Sequence, residues 1–153
     1  MHSHADTEGN VRILVVSLTA LSPHDKSRLG TRFFRPGNRE MPHGTVYHDL
    51  GGTPPQADEP VSMATSQLDP LTALLRSLAS LRLVVTFGIT AHLTTIESYG
   101  IPWSRIPYRA GLLTALPDGL IIANLPALGI MPLETMEPAL TRMIPVLRRE
   151  GIL

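Results

Sequence analysis

Three short, nearly unbroken apolar runs constrain the fold most: Ile13-Leu14-Val15-Val16, Leu83-Val84-Val85-Thr86-Phe87 and Leu120-Ile121-Ile122-Ala123-Asn124. None alternates with polar residues, so each reads as a strand covered on both faces. Such strands belong to a mostly parallel sheet held between two helical layers, a three-layer α/β/α domain. The chain has 153 residues, enough for one such domain, here residues 11–153 behind a polar tail of residues 1–10.

The segments between the runs supply the other layers. Leu71, Leu74, Leu75 and Leu78 recur at helical spacing after Asp69, which is read as the cap, with Pro70 in the first turn. Arg76 and Arg82 lie toward the end of that helix, where they favour its dipole. Thr90 is read as the cap of a second helix, with Leu93 and Ile96 inward and Gly100 as its stop. Residues 111–115 and 120–124, joined through Pro117-Asp118-Gly119, read as a hairpin. A last helix is expected from near Thr135, with Leu140, Met143, Ile144 and Leu147 inward and a kink at Pro145. Residues 44–50 fit a short edge strand in an otherwise turn-rich stretch, and residues 19–39 a long loop with one helical turn after Ser22-Pro23.

That loop carries the densest charge. Lys26, Arg28, Arg32, Arg35 and Arg39 fall within it, with Phe33 and Phe34 between them, whereas the whole chain has 13 Lys and Arg against 13 Asp and Glu. A neutral chain has no long-range field for polyanions, so any nucleic acid would be held by this local patch. A solvated loop whose two aromatics cap the core is the plain alternative. The absence of Cys excludes disulfides and thiolate metal sites and fits a reducing compartment. No run approaches the roughly eighteen apolar residues of a membrane span, and residues 1–10 lack a signal-peptide core. A cytoplasmic protein without membrane contact is therefore expected. No metal set, dinucleotide fingerprint, phosphate loop or nucleophile elbow is present, and no cofactor is expected.

Ser17-Leu18-Thr19-Ala20-Leu21, the motif Phe33-Phe34-Arg35-Pro36-Gly37-Asn38-Arg39, the strand with a short Gly turn into a helix from Val84 to Ala91, and Asn124-Leu125-Pro126-Ala127-Leu128 stand in an order that resembles the uracil-DNA glycosylase superfamily. The nearest branch is the mismatch-specific uracil/thymine one, and the likeness runs loosely over residues 11–150. It implies an α/β/α fold whose strand-end loops hold a flipped base and hydrolyse its N-glycosidic bond in DNA. On that pattern Asn38 and Thr19 are the catalytic candidates; from chemistry alone, His24 in the first loop and His92 in the first turn of a helix at the carboxyl edge join them. Phe33, Phe34, Leu18, Ala20, Asn124 and Leu125 would line the base, and Arg32, Arg35 and Arg39 would meet phosphate. The sequence departs from the pattern at several working positions. Thr19 stands where that branch has a water-positioning Asn, Ala20 and Leu21 replace a Pro-Gly pair, and Glu40-Met41 replace two aromatics. The hypoxanthine-type branch also lacks the first Asn and uses the one matched by Asn38.

Two other readings stand beside this one. The apolar replacements suit a small nucleobase-like or apolar ligand, with His24, His48 or His92 as acid or base. The same frame would also serve a catalytically silent binding protein. Within Tyr47-His48-Asp49 the imidazole and carboxylate are expected on opposite faces of the strand, which argues against a dyad. The oligomeric state is not legible.

Overall fold

A computed structural model describes residues 11–33, 44–51, 65–127 and 136–152, with backbone alone at 31–33, 65–69 and 137. The predicted apolar runs are the strands β1 (Ile13–Ser17), β3 (Leu83–Phe87) and β5 (Ile121–Leu125), every residue of them buried. β2 (Thr45–Asp49) is the expected edge strand, and β4 (Leu113–Ala115) is the outer strand of the expected hairpin. The sheet order is β2-β1-β3-β5-β4. All neighbours are parallel except β4, which runs antiparallel to β5.

Alternation along the strands divides the core in two. Ile13, Val15, Val85, Phe87, Ala123 and Leu125 face one layer. That layer consists of α1 (Pro23–Phe33) and α4 (Glu137–Arg149), which contribute Leu29, Leu140, Met143 and Leu147. Leu14, Val16, Val84 and Ile122 face α2 (Thr65–Ser77) and α3 (Ile89–Ser98), which contribute Leu71, Leu75, Leu93 and Ile96, with Leu78 just after α2. Each fully buried Leu, Ile or Phe contributes about 1.5–3 kcal/mol by leaving water. The three-layer arrangement is the one that the apolar runs require.

Several local expectations change. The segment read as loop after Leu21 is an 11-residue helix, α1. The Ser22 hydroxyl accepts the Asp25 N–H at 3.1 Å, Pro23 occupies the first turn, and Leu29 anchors the helix on the sheet. Helix α2 begins before Asp69, so Pro70 lies inside it, exposed, rather than in its first turn. Gly88, not Thr90, caps α3. Pro145 lies inside helix α4, as expected, and is exposed. The carbonyl deprived of its partner belongs to Thr141, also exposed, and water can take that bond.

The stop of α3 is as expected. Gly100, at φ 71°, donates to the Glu97 carbonyl and Ile101 donates to that of Ile96, the paired bonds of a Schellman ending. No described helix is long and apolar enough to cross a membrane.

The strand order sets where a ligand can sit. From β1 the chain moves outward through α1 on one face, then returns through α2 on the other to place β3 against the opposite side of β1. The connections after β1 and β3 therefore leave toward opposite faces. In open α/β sheets a divergence of this kind is where a ligand crevice is expected, at the carboxyl edge between the two strands.

Candidate functional site

Ser17, Phe87 and Leu125 stand level at the carboxyl ends of three adjacent strands. The turns after β3 and β5 are tied to each other. The Leu125 carbonyl accepts the Gly88 N–H at 2.8 Å and the Tyr108 hydroxyl at 2.8 Å. The Ser17 hydroxyl donates to the Thr19 carbonyl at 2.7 Å, which folds the first turn back on its strand. Gly88 adopts φ 97° and ψ 165°, a conformation essentially reserved for glycine, and no side chain caps α3. The first N–H groups of α3 have no intrahelical partners and carry the positive end of its dipole.

One residue back along the strands, Thr86 and Asn124 are register partners and project toward α3. Thr86 Oγ1 donates to Asn124 Oδ1 at 2.8 Å, and His92 Nδ1 lies 2.9 Å from the same oxygen. On the ring's other side His92 Nε2 is 2.7 Å from the Ile106 carbonyl. All three side chains are completely buried. A carbonyl only accepts, so Nε2 carries a proton. Were Nδ1 also to donate, an imidazolium would lie buried without an acidic partner, at a cost of several kcal/mol. Turning the Asn124 amide about its axis instead places its NH2 on Nδ1 and on Thr86 Oγ1 and keeps the ring neutral. In either arrangement one amide atom of Asn124 has no partner among the described residues.

The structure thus brings together two predicted site residues, His92 and Asn124, in one buried network. Thr19 is half-buried and Ala20 exposed at the neighbouring turn. Leu18 packs into the core beneath α2 and α3, and Leu125 into the core of the opposite face. His24 is exposed in the first turn of α1, and no described contact joins it to Thr19. Phe33 and Arg32 close the backbone of α1, and their side chains lie outside the described residues, as do Phe34, Arg35, Asn38 and Arg39 altogether. Residues 128–135 also lie outside.

Thr86, Ile106 and Tyr108 were not singled out from the sequence. A signal existed for Thr86, a polar residue near the end of an apolar run like Asn124 in its own run. Tyr108 and the Ile106 carbonyl reach the site only through the path of the chain after α3, and nothing local marks them.

His48 and Val46 share one face of β2 while Tyr47 packs on the other, with Lys26 Nζ 4.6 Å from its ring centre. His48 is half-buried, and burial pushes its imidazole below the ordinary value of 6.5 against an opposing pull from the Asp49 carboxylate. The unfolded chain therefore takes up a proton first as pH falls through 6.5. Stability is unaffected above that point, falls below it, and levels off under the folded value. Urea midpoints measured from pH 7.5 to 5 should decline less in His48→Gln than in the parent.

A cavity of about 400 Å³ lies at the other end of the sheet, lined by Leu75, Leu78, Arg82, Tyr99 and Asp118 among others. Its Tyr99 phenol is pushed up to about 12 by burial and by Asp118, and so stays protonated at neutral pH. It is remote from the strand ends, at the edge where β3 and β5 begin. Among the described residues no group of three His, Asp or Glu could hold a metal ion.

Sheet order and buried network define an α/β/α protein with its candidate site at the reversal between β1 and β3. No known family model matches the chain, and no curated protein is significantly similar to it.

Proposed function

We propose that this protein is a divergent relative of the uracil-DNA glycosylases that holds a nucleobase in the β1–β3 crevice and hydrolyses its N-glycosidic bond. The observation that carries the reading is the convergence of the turns after β1, β3 and β5 at one edge, with the Gly88 N–H bound to the Leu125 carbonyl. These are the three turns that carry the sequence resemblance. In the reaction the bond from the sugar's anomeric carbon to the base breaks, and a water oxygen bonds to that carbon. The water gives up a proton, and the base departs as an anion that is protonated afterwards. The α3 N-terminus supplies backbone donors for that developing charge. Thr19 is the described residue best placed by sequence to orient the water. The parts assigned to Asn38, Phe33 and the arginines rest on the resemblance.

Histidine-driven chemistry on a small molecule finds less support. Both ring nitrogens of His92 are engaged in the interior, and His24 is exposed on α1. Uracil- and hypoxanthine-containing DNA, single- and double-stranded, should bind with steep salt dependence and acquire abasic sites, detected as alkali-labile strand breaks. Asn38→Ala should slow that reaction about 100-fold or more, and Thr19→Ala less. Abasic-site formation that survives Asn38→Ala would remove the catalytic assignment. Neither binding nor abasic sites would defeat the whole reading.

A further inference from the structure

The segment between α3 and β4, residues 101–112, is a strap that meets the site described above through the Ile106 carbonyl and the Tyr108 hydroxyl, and its outward side has no part in that site. It leaves the end of α3 where the Ile101 N–H meets the Ile96 carbonyl, and climbs back along that helix. It is fastened to the carboxyl edge at three points: the Ile106 carbonyl on His92, the Tyr108 hydroxyl on the Leu125 carbonyl, and the Gly111 N–H on the Asn124 carbonyl at 2.7 Å. The rings of His92 and Tyr108 lie 5.7 Å apart. Within the strap the Arg105 N–H donates to the Pro102 carbonyl at 3.0 Å, making a tight turn that carries Trp103.

What this strap presents outward is unusual for the molecule. Trp103 and Leu112 are the large hydrophobics exposed among the described residues, at 39% and 44%. Arg105 and Arg109 are exposed as well, and residues 101–117 contain no Asp or Glu. Arg142 of α4 adds a third guanidinium, its Nη2 3.0 Å from where a Cβ on Gly111 would sit. An exposed indole and two exposed guanidiniums on one stretch of chain without an acidic residue, its backbone fastened at three points, complement stacked bases on a phosphate chain.

We infer that the strap is a landing surface for single-stranded nucleic acid, with Trp103 stacking on a base and Arg105 and Arg109 meeting phosphates. The inference rests on the nucleobase-hydrolase reading for the identity of its partner, and assigns the flanking strand a path over the outer end of the sheet. Binding there needs no damaged base and no turnover.

Trp103 is the chain's single tryptophan, so its emission reports on the strap directly. Titration with an undamaged oligothymidylate of about twelve nucleotides should quench that emission, saturably and less strongly as salt rises. By anisotropy of the labelled oligonucleotide, Trp103→Ala should weaken binding roughly 5- to 150-fold and Trp103→Phe less. Arg105→Gln and Arg109→Gln should each lower the slope of log affinity against log salt by about 0.7. Circular dichroism and urea midpoints of the variants should match the parent, because all three side chains are exposed. Absence of quenching, with abasic-site formation on damaged DNA intact, would overturn this inference and leave the function standing. Oligonucleotide binding that ignores all three substitutions would place the contact elsewhere and also overturn it. An emission change that tracks protein concentration, with a dimer in sedimentation, would instead make the strap a self-association surface. Quenching without abasic sites would support the strap while the catalytic reading falls.

Discussion

Gly88→Ala is expected to destabilise the protein by about 1–3 kcal/mol, because alanine must adopt φ 97° and ψ 165° or pull the turn apart. In a chain of this size that corresponds to a loss of roughly 2–12 °C in melting temperature. The strain falls where the Gly88 N–H holds the Leu125 carbonyl and its own carbonyl accepts the His92 N–H at 3.2 Å. Relief by rotation would therefore break the tie between β3 and β5 or tilt the first turn of α3. Thermal and urea unfolding measure the stability, and the proposed abasic-site formation measures the site. That proposed activity should suffer more than stability alone requires, reduced even at temperatures where the variant is fully folded. A variant as stable as the parent would show that the turn relaxes without cost, and the rigidity assigned to this corner would be wrong.

Asn124→Ala should be at least as damaging, about 2–5 kcal/mol. The substitution removes a completely buried amide, leaves His92 Nδ1 facing a void and leaves Thr86 Oγ1 only its long 3.4 Å contact with the Ala123 carbonyl. Each stranded polar atom costs about 1–3 kcal/mol where water cannot reach it. The urea midpoint should fall with its slope unchanged, since the surface exposed on unfolding is the same. The damage should also spread to the strap. With Nδ1 unpartnered, the His92 ring loses the contact that holds it against the Ile106 carbonyl, and amide exchange should accelerate around residues 106–109. Exchange confined to β5 would mean that His92 does not couple the strap to the sheet.

Much of the fold was legible because parallel strands announce themselves locally. Val84-Val85 and Ile121-Ile122 have no polar alternation, and a strand buried on both faces leaves no other choice. The hairpin through Pro117-Asp118-Gly119 and the stop at Gly100 follow from equally local chemistry. Helix α1 was not legible as a helix because, among its described side chains, the fully buried apolar anchor is Leu29, too little for an apolar periodicity. Its cap, Ser22 with Pro23 and Asp25, was visible but weighed as a single turn. Pro70 argued locally for a helix start, but it is exposed and α2 begins before it; Pro145 lies inside α4, where it was expected, also on an exposed side.

His92 and Asn124 could each be named as candidates from the chain, since each is a polar residue beside an apolar element. Their meeting could not be. They are separated by 32 residues, and they face each other because β5 pairs with β3 in the register that sets Asn124 beside Thr86. The same holds for Tyr108, whose hydroxyl finds Leu125 only after the strap has climbed the length of α3. Hydrophobic runs, caps and turns act over a few residues, so covalent order alone is enough to read them. Which strand lies beside which, and therefore which polar groups share an interior without water, depends on burial summed over the whole domain. That quantity has no local trace, and the site is made of it.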